Sequence, residues 1–327
     1  MSTGAITVLV TGVGAIIGQG IVDGLRRSGR AVRVIGLDRN PDCLGPVICD
    51  AFVAKAKVAE DSPAYLDFWK QLLVDEQVHL VLPGIEEDVF FLDNHREALA
   101  GEVVLGLNTP NAIGYSRDKW RLHEIAGEHL IPTVLGCDWA ECEAALGPLP
   151  WLMKPRQGSG SRGIIRLETR EDFDQAKAHS LEGHLIQRIV GSDDEEYTVG
   201  VFGLGQGSAL EPMLIFRRRL SPEGNTQYAE QVDDPAITAA VKQLVQQLAP
   251  LGPTNFQFRK EGSHVYLLEV NPRFSSSASL RTAFGFNEAK MALEFFVDET
   301  PPVQPVVRSG RAWRRAADLV EWEGEPQ

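Results

Sequence analysis

The chain has 327 residues, 43% of them hydrophobic, which is enough apolar material for two or three packed units. Its formal net charge of −13 argues against a nucleic-acid partner, because phosphate backbones are bound by basic surfaces, but leaves room for a local nucleotide pocket. No apolar run approaches the roughly 18 to 20 residues that cross a bilayer, and the start MSTGAITVLV lacks the basic segment of a secretion signal. We therefore expect no membrane partner and a cytoplasmic location, with Cys43, Cys49, Cys137 and Cys142 as reduced thiols, since none has C-x-x-C spacing.

In chain order, TVLVTG, RVIGLD and VHLVLPG read as strands separated by helical stretches at 18–28 and 63–76, with a shorter strand in EVVLGL. Such alternation predicts βαβ units and a doubly wound parallel sheet over residues 1–112. A helix is expected over 117–129, stopped near Pro132. Short β segments and glycine loops follow, interrupted by helices at 234–251 and 287–297, so this half reads as α+β with antiparallel sheets. The Pro-rich ETPPVQPVV marks a last boundary, and 301–327 is expected as a C-terminal extension.

Gly12, Gly14 and Gly18 follow the first strand and precede a helix, and Asp38 ends the next strand. The context suits a phosphate-cradling turn with a ribose-binding acid, and would serve an NAD(P)-dependent oxidoreductase. The spacing, however, is G-x-G-x-x-x-G, and the competing reading is a tight strand-to-helix turn that holds no dinucleotide.

The second half carries a denser constellation. A strand delivers Lys154 to QGSGSRG, where Gly158, Gly160 and Gly163 free the backbone N–H groups to close over phosphates; a plain hairpin connection is the alternative. Gln187 to Ile189 can present backbone edges to an adenine, and Glu196 can accept from ribose hydroxyls. In TNFQFRKEGSHVYLLEVNPR, a turn at Gly262 to His264 sets Gln257 opposite Glu269, and sets Phe256 and Phe258 against Val270 and Leu268. Gln257, Glu269 and Asn271 then share one face, either as oxygen ligands for a hard divalent cation or as the wet side of an amphipathic hairpin.

The order SRDKWRLHE, WLMKPRQGSGSRGI, LIQRIVGSDDEEYTV, NFQF and LLEVNPRFSSS resembles the ATP-grasp superfamily, nearest to the carbamoyl phosphate synthetase large chain and the biotin carboxylase group. The resemblance runs from residue 1 to about 297. It implies an α/β Rossmann-like N-terminal (pre-ATP-grasp) domain, here 1–112, followed by an α+β two-subdomain ATP-grasp domain, with a small subdomain at 113–185 and a large one at 186–300. It also implies that the N-terminal domain frames the substrate instead of holding the nucleotide.

Carried over by the resemblance, Lys119 and Lys154 contact the phosphates of ATP, Gly158, Ser159, Gly160 and Gly163 belong to the loop that covers them, and Gln187, Arg188 and Ile189 form the adenine hinge. Glu196 is the ribose acid. Gln257, Glu269 and Asn271 are the metal positions, with Glu269 bridging two Mg²⁺ that Mn²⁺ can replace, and Arg273 steadies the phosphate in flight. Two departures stand out: Gln187 and Gln257 occupy positions where many relatives carry an acid. The implied activity is an ATP-dependent carboxylate–amine ligase of small molecules, passing through an acyl phosphate and releasing ADP and phosphate. The partners are then a small carboxylate and an amine, and a homodimer is the expected assembly. A non-catalytic ATP-binding module is the other alternative to the oxidoreductase.

For the substrate, a strand over LIFRRRL sends Arg217 and Arg219 to one face and Arg218 to the other. Glu211 and Arg281 are candidates for the same pocket, and Glu86, at the carboxyl end of a parallel strand, is a candidate amine partner. The seven histidines have no ligand spacing and are expected to be structural.

Overall fold

The computed structural model describes residues 5–99, 101, 103–158, 163–222 and 224–315. It contains three sheets. The first holds five parallel strands, β1 (Ile6–Thr11), β2 (Val32–Asp38), β3 (Ala51–Ala54), β4 (Leu80–Leu82) and β5 (Val104–Leu105), in the order β3-β2-β1-β4-β5. Its strands are apolar without alternation because both faces are covered. On one face Leu9, Ile35 and Leu37 pack on Tyr65 and Trp69 of the helix Pro63–Asp75. On the other, Val8 and Val10 meet Ile21 and Leu25 of the helix Ile16–Arg26, and this core runs on into Phe274, Ala278, Phe286 and Ala289 of the C-terminal half. Gly24 makes that contact possible, since a Cβ there would lie 2.9 Å from the Cβ of Ala289.

The second sheet is antiparallel, with β6 (Thr133–Leu135), β7 (Trp151–Pro155), β8 (Ile165–Leu167) and β9 (His184–Arg188) in the order β6-β9-β7-β8. The third contains β10 (Glu196–Gly205), β11 (Ser208–Ala209), β12 (Leu214–Leu220), β13 (Thr226–Gln231), β14 (Leu251–Glu261), β15 (His264–Asn271) and β16 (Arg311–Trp313). Its order is β15-β14-β10-β12-β13-β16, with β11 paired to β10. One face of it, with Val199, Ile215, Phe256 and Phe258, buries the apolar side of the helix Pro235–Leu248. That helix starts where the Asp234 carboxylate accepts from the N–H groups of Ala236 and Ile237, with Pro235 in its first turn.

One expectation needs correction. The helix expected over 117–129 does not form: the helix Pro110–Arg117 ends at Asp118, and the 3-10 turns Lys119–Glu124 and Gly127–His129 follow. Asp118 is drawn out of the helix (φ −130°, ψ 100°) because Arg156 grips its carboxylate at 2.6 and 2.5 Å and it caps Trp120 N–H at 3.1 Å. Within the segment expected as an extension, Arg311–Trp313 form β16, which adds to the edge of the third sheet at β13. Among the described residues no helix is long and apolar enough to cross a membrane.

Candidate active site

The second and third sheets face each other across a groove of about 390 Å³ whose remaining edge is formed by the first βα turn and the chain after β15. From β7 and β9 come Leu152, Lys154 and Gln187; from the third sheet come Glu196, Arg218, Gln257, Arg259, Leu268, Glu269 and Asn271. Among the described residues five cationic side chains (Lys119, Lys154, Arg218, Arg259 and Arg273) line it against two carboxylates, Glu196 and Glu269, in a chain that is strongly acidic overall.

The β14–β15 register is the one expected at two points, Gln257 with Glu269 and Phe256 with Val270, and it continues as Asn255 with Asn271. It then shifts. Phe258 faces Leu267, not Leu268, across a bulge. An extra residue on one strand breaks the two-residue alternation locally, so Leu268 and Glu269, although adjacent, both line the groove while Leu267 stays in the core. Leu268 with Leu152 gives the groove apolar surface suited to a flat ring, and Glu269 with Asn271 gives it a corner of hard oxygen donors of the kind magnesium takes.

Lys154 donates to Gln187 Oε1 at 3.0 Å, and Gln187 Nε2 in turn donates to Thr133 Oγ1 at 2.7 Å, which fixes the amide with its oxygen toward the lysine. Burial pushes the Lys154 ammonium down to about 8, against the attraction of Glu269. Lys119 emerges from the 3-10 turn that Asp118 and Arg156 create, its N–H bonded to Arg156 O at 3.1 Å and its ammonium to the Gly158 carbonyl. The start of the glycine loop is thus tied to a groove lysine. Gly163 lies beyond the groove-lining residues, and Ser159 and Gly160 lie outside the described residues.

Several sequence-derived roles meet a different geometry. The Arg188 side chain turns to Glu261 (3.0 Å) and Tyr266 Oη (2.8 Å), and neither Arg188 nor Ile189 is a groove-lining residue. Glu196 is not a free acceptor: Oε1 takes Arg218 Nε at 3.2 Å and Nη2 at 2.9 Å, and Oε2 takes Arg259 Nη2 at 2.7 Å. Arg218 is almost fully buried, and its Nη2 also donates to Gln257 Oε1 at 2.9 Å. As expected from alternation, Arg217 and Arg219 point the other way, to Glu230 and Asp194. Glu211 and Arg281 are not groove residues. Glu211 sits on the surface with Lys242, 2.8 Å away, and Arg281 is fully buried against Glu288 at 3.0 Å, where it props Asn255 Oδ1 from behind.

Arg273 closes the far end. Its Nη2 donates to Asn271 Oδ1 and to Glu86 Oε2, both at 3.2 Å, so Glu86 backs Arg273 from the first sheet's side without itself lining the groove. Burial raises the Glu86 carboxyl above the usual range, and Arg273 opposes this. The first glycine turn, by contrast, is closed on itself. Asp38 Oδ2 accepts Gly14 N–H at 2.8 Å and Oδ1 accepts Asn40 N–H at 3.0 Å, while Gly18 packs on the Gly12 carbonyl so tightly that no Cβ fits. Its contribution to the groove is Ile17.

Arg259 and Leu152 were missed in the sequence although each stands two residues from a residue assigned to that face, Gln257 and Lys154. Leu268 carried no signal, because a Leu-Leu pair does not announce a bulge.

A family model described as "ATP-grasp in the biosynthetic pathway with Ter operon" matches residues 191–317. An uncharacterized protein of Sinorhizobium fredii is 28% identical over 159 residues, a match that takes in 42% of this chain and 31% of that relative, so it spans about a third of the relative's length. Among solved structures, N5-carboxyaminoimidazole synthetase from Staphylococcus aureus complexed with ADP superposes with a TM-score of 0.72 at 14% identity, over 94% of this chain and 82% of that one. A biotin carboxylase complex from Campylobacter jejuni gives 0.71 at 14% identity, over 94% and 74%. L-amino acid ligase from Bacillus licheniformis gives 0.67 at 17% identity, over 93% and 76%. The chain thus has the fold of these solved structures, and over residues 191–317 it is similar to an ATP-grasp family.

Proposed function

We propose that the chain is an ATP-dependent ligase that joins a small carboxylate to an amine. The observation that carries this reading is the convergence in one groove of the Glu269–Asn271 corner, two lysines at the root of a glycine loop, and Arg273. Lys119 and Lys154 would hold the phosphates as point charges, and Leu152 and Leu268 would sandwich the adenine. Glu269 and Asn271 would hold magnesium, which supplies charge neutralisation on the phosphate oxygens when bound.

In the first step a carboxylate oxygen of the substrate attacks the γ-phosphorus, the bond to the bridging oxygen breaks, and ADP leaves with an acyl phosphate formed. Arg273 faces that transfer and offsets the charge spread over the phosphoryl oxygens. In the second step an amine attacks the acyl carbon, phosphate leaves, and the amine loses a proton. Glu86, buried and bonded to Arg273, is the carboxylate nearest that end, and supports the role of amine partner.

The test is ADP release by purified protein with Mg²⁺ and ATP across pairs of amino acids and small acids, with product mass read in parallel. ADP release that depends on both an acid and an amine is expected. Nucleotide binding with no turnover over a broad panel would favour a binding module instead, and would end the ligase reading.

A further inference from the structure

We propose that this groove holds one divalent cation with its nucleotide, and that the buried guanidinium of Arg218 takes the place of a second. The inference rests on the nucleotide-binding part of the ligase reading and concerns how many metal ions the site accepts. The motif positions taken alone suggest two ions, one shared by Gln257 and Glu269 and one by Glu269 and Asn271.

The second pair fits better: Glu269 brings a charge and takes part in none of the described ion pairs, and Asn271 Oδ1 is held by the longer contact, 3.2 Å from Nη2 of the partly exposed Arg273. The first fits poorly. Gln257 brings no charge, and its Oε1 is already the acceptor of Arg218 Nη2 at 2.9 Å. A magnesium ion bound to that oxygen at about 2.1 Å would stand no more than about 5 Å from a guanidinium nitrogen in a poorly solvated site, where like charges repel strongly.

Arg218 is not free to withdraw. It is 4% exposed, and it is fixed by Glu196 Oε1 at 3.2 and 2.9 Å and by Thr226 Oγ1 at 3.3 Å. Pulling it out would uncover Glu196, itself 5% exposed, with Arg259 alone to balance it. Among the described residues no further carboxylate lines the groove, and Glu86, behind it, is held by Arg273 at 3.2 Å. Among the described residues no group of three or more His, Cys, Asp and Glu side chains is placed to hold a metal. Glu196 is spent on its two arginines, which leaves Glu269 as the acidic ligand. Over the described lining residues, one divalent ion brings the nucleotide-loaded groove close to neutral, and a second overcharges it.

The experiment counts ions without turnover. Protein saturated with a non-hydrolysable ATP analogue is titrated with Mn²⁺, and free Mn²⁺ is read by electron paramagnetic resonance. One ion per nucleotide-loaded chain is expected; two at comparable affinity overturns the proposal. A chain that binds no analogue, judged first by fluorescence with a labelled nucleotide, fails the nucleotide-binding premise and overturns both readings, whereas binding with two ions sinks only this one. The paired variant Glu196→Gln with Arg218→Gln removes the guanidinium without stranding its acid, and is expected to take up a second ion. If it binds the analogue and still holds one, Arg218 is not the stand-in. The wild-type count decides the matter even if that variant does not fold.

Discussion

Two places in this molecule set a glycine-rich turn after a strand, and they differ in how much charge is left unpaired around it. At Gly12–Gly18 the acid is used up inside the turn, with Asp38 bonded to Gly14 and Asn40 N–H groups and Gly18 pressed against the Gly12 carbonyl. Among the described residues of the groove the cations outnumber the carboxylates, Glu269 lies beside Asn271 in none of the ion pairs, and Lys154 is buried without a carboxylate partner. A glycine-rich turn after a strand therefore says little about ligands until the hydrogen bonds of its own backbone are accounted for. Uncompensated charge in a concave site says more.

The comparison breaks if the groove variants are harmless. Glu269→Ala is expected to abolish ADP release while leaving the melting temperature nearly unchanged, because the carboxylate holds no buried partner in the protein itself. Retained turnover would move the metal corner elsewhere. Arg273→Ala should lower turnover by on the order of 10² to 10³-fold with little change in nucleotide affinity, as for the loss of one preorganised charge facing a transfer. A change confined to KM would instead make Arg273 a binding group.

Lys154→Met should weaken nucleotide binding about 10- to 100-fold, the equivalent of one charge-assisted hydrogen bond. The pH profile sharpens this. Burial has lowered the ammonium to about 8, so the free protein carries the charge below that pH and loses it above. The sign follows: affinity for a polyphosphate is constant below about pH 8 and falls as pH rises past it, by up to tenfold per unit. Calorimetric titration between pH 6.5 and 9.5 should give that slope in the wild type and a flat line in Lys154→Met. The smallest effect belongs to the closed turn. Asp38→Asn should cost about 1 kcal/mol in urea denaturation, the worth of a charged acceptor on an exposed loop, and should leave ATP affinity unaltered. Specific NAD(P)H binding lost in that variant would restore the dinucleotide reading.

The hairpin face was legible because polar residues recur every second position against an apolar set, so Gln257 opposite Glu269 followed from the turn alone. Arg217, Arg218 and Arg219 were sorted onto two faces by the same rule. What could not be seen was pairing across distance. Arg218 meets Glu196 from another strand, 22 residues away, and Asp118 meets Arg156 from 38 residues away, ending a helix that local propensity alone would continue. Arg281 was misassigned for the same reason: an arginine after a serine run looks available until Glu288 is found beside it.

The core that joins the first parallel sheet to Phe274, Phe286 and Ala289 crosses from one half of the chain to the other, with Asn287 bonded to the Gly24 carbonyl at 2.8 Å beside it, and it includes the residue next to Arg273. The two halves should consequently melt in a single calorimetric transition. Amide hydrogens of β1 and β4, which line no part of the groove, should exchange more slowly when nucleotide occupies it.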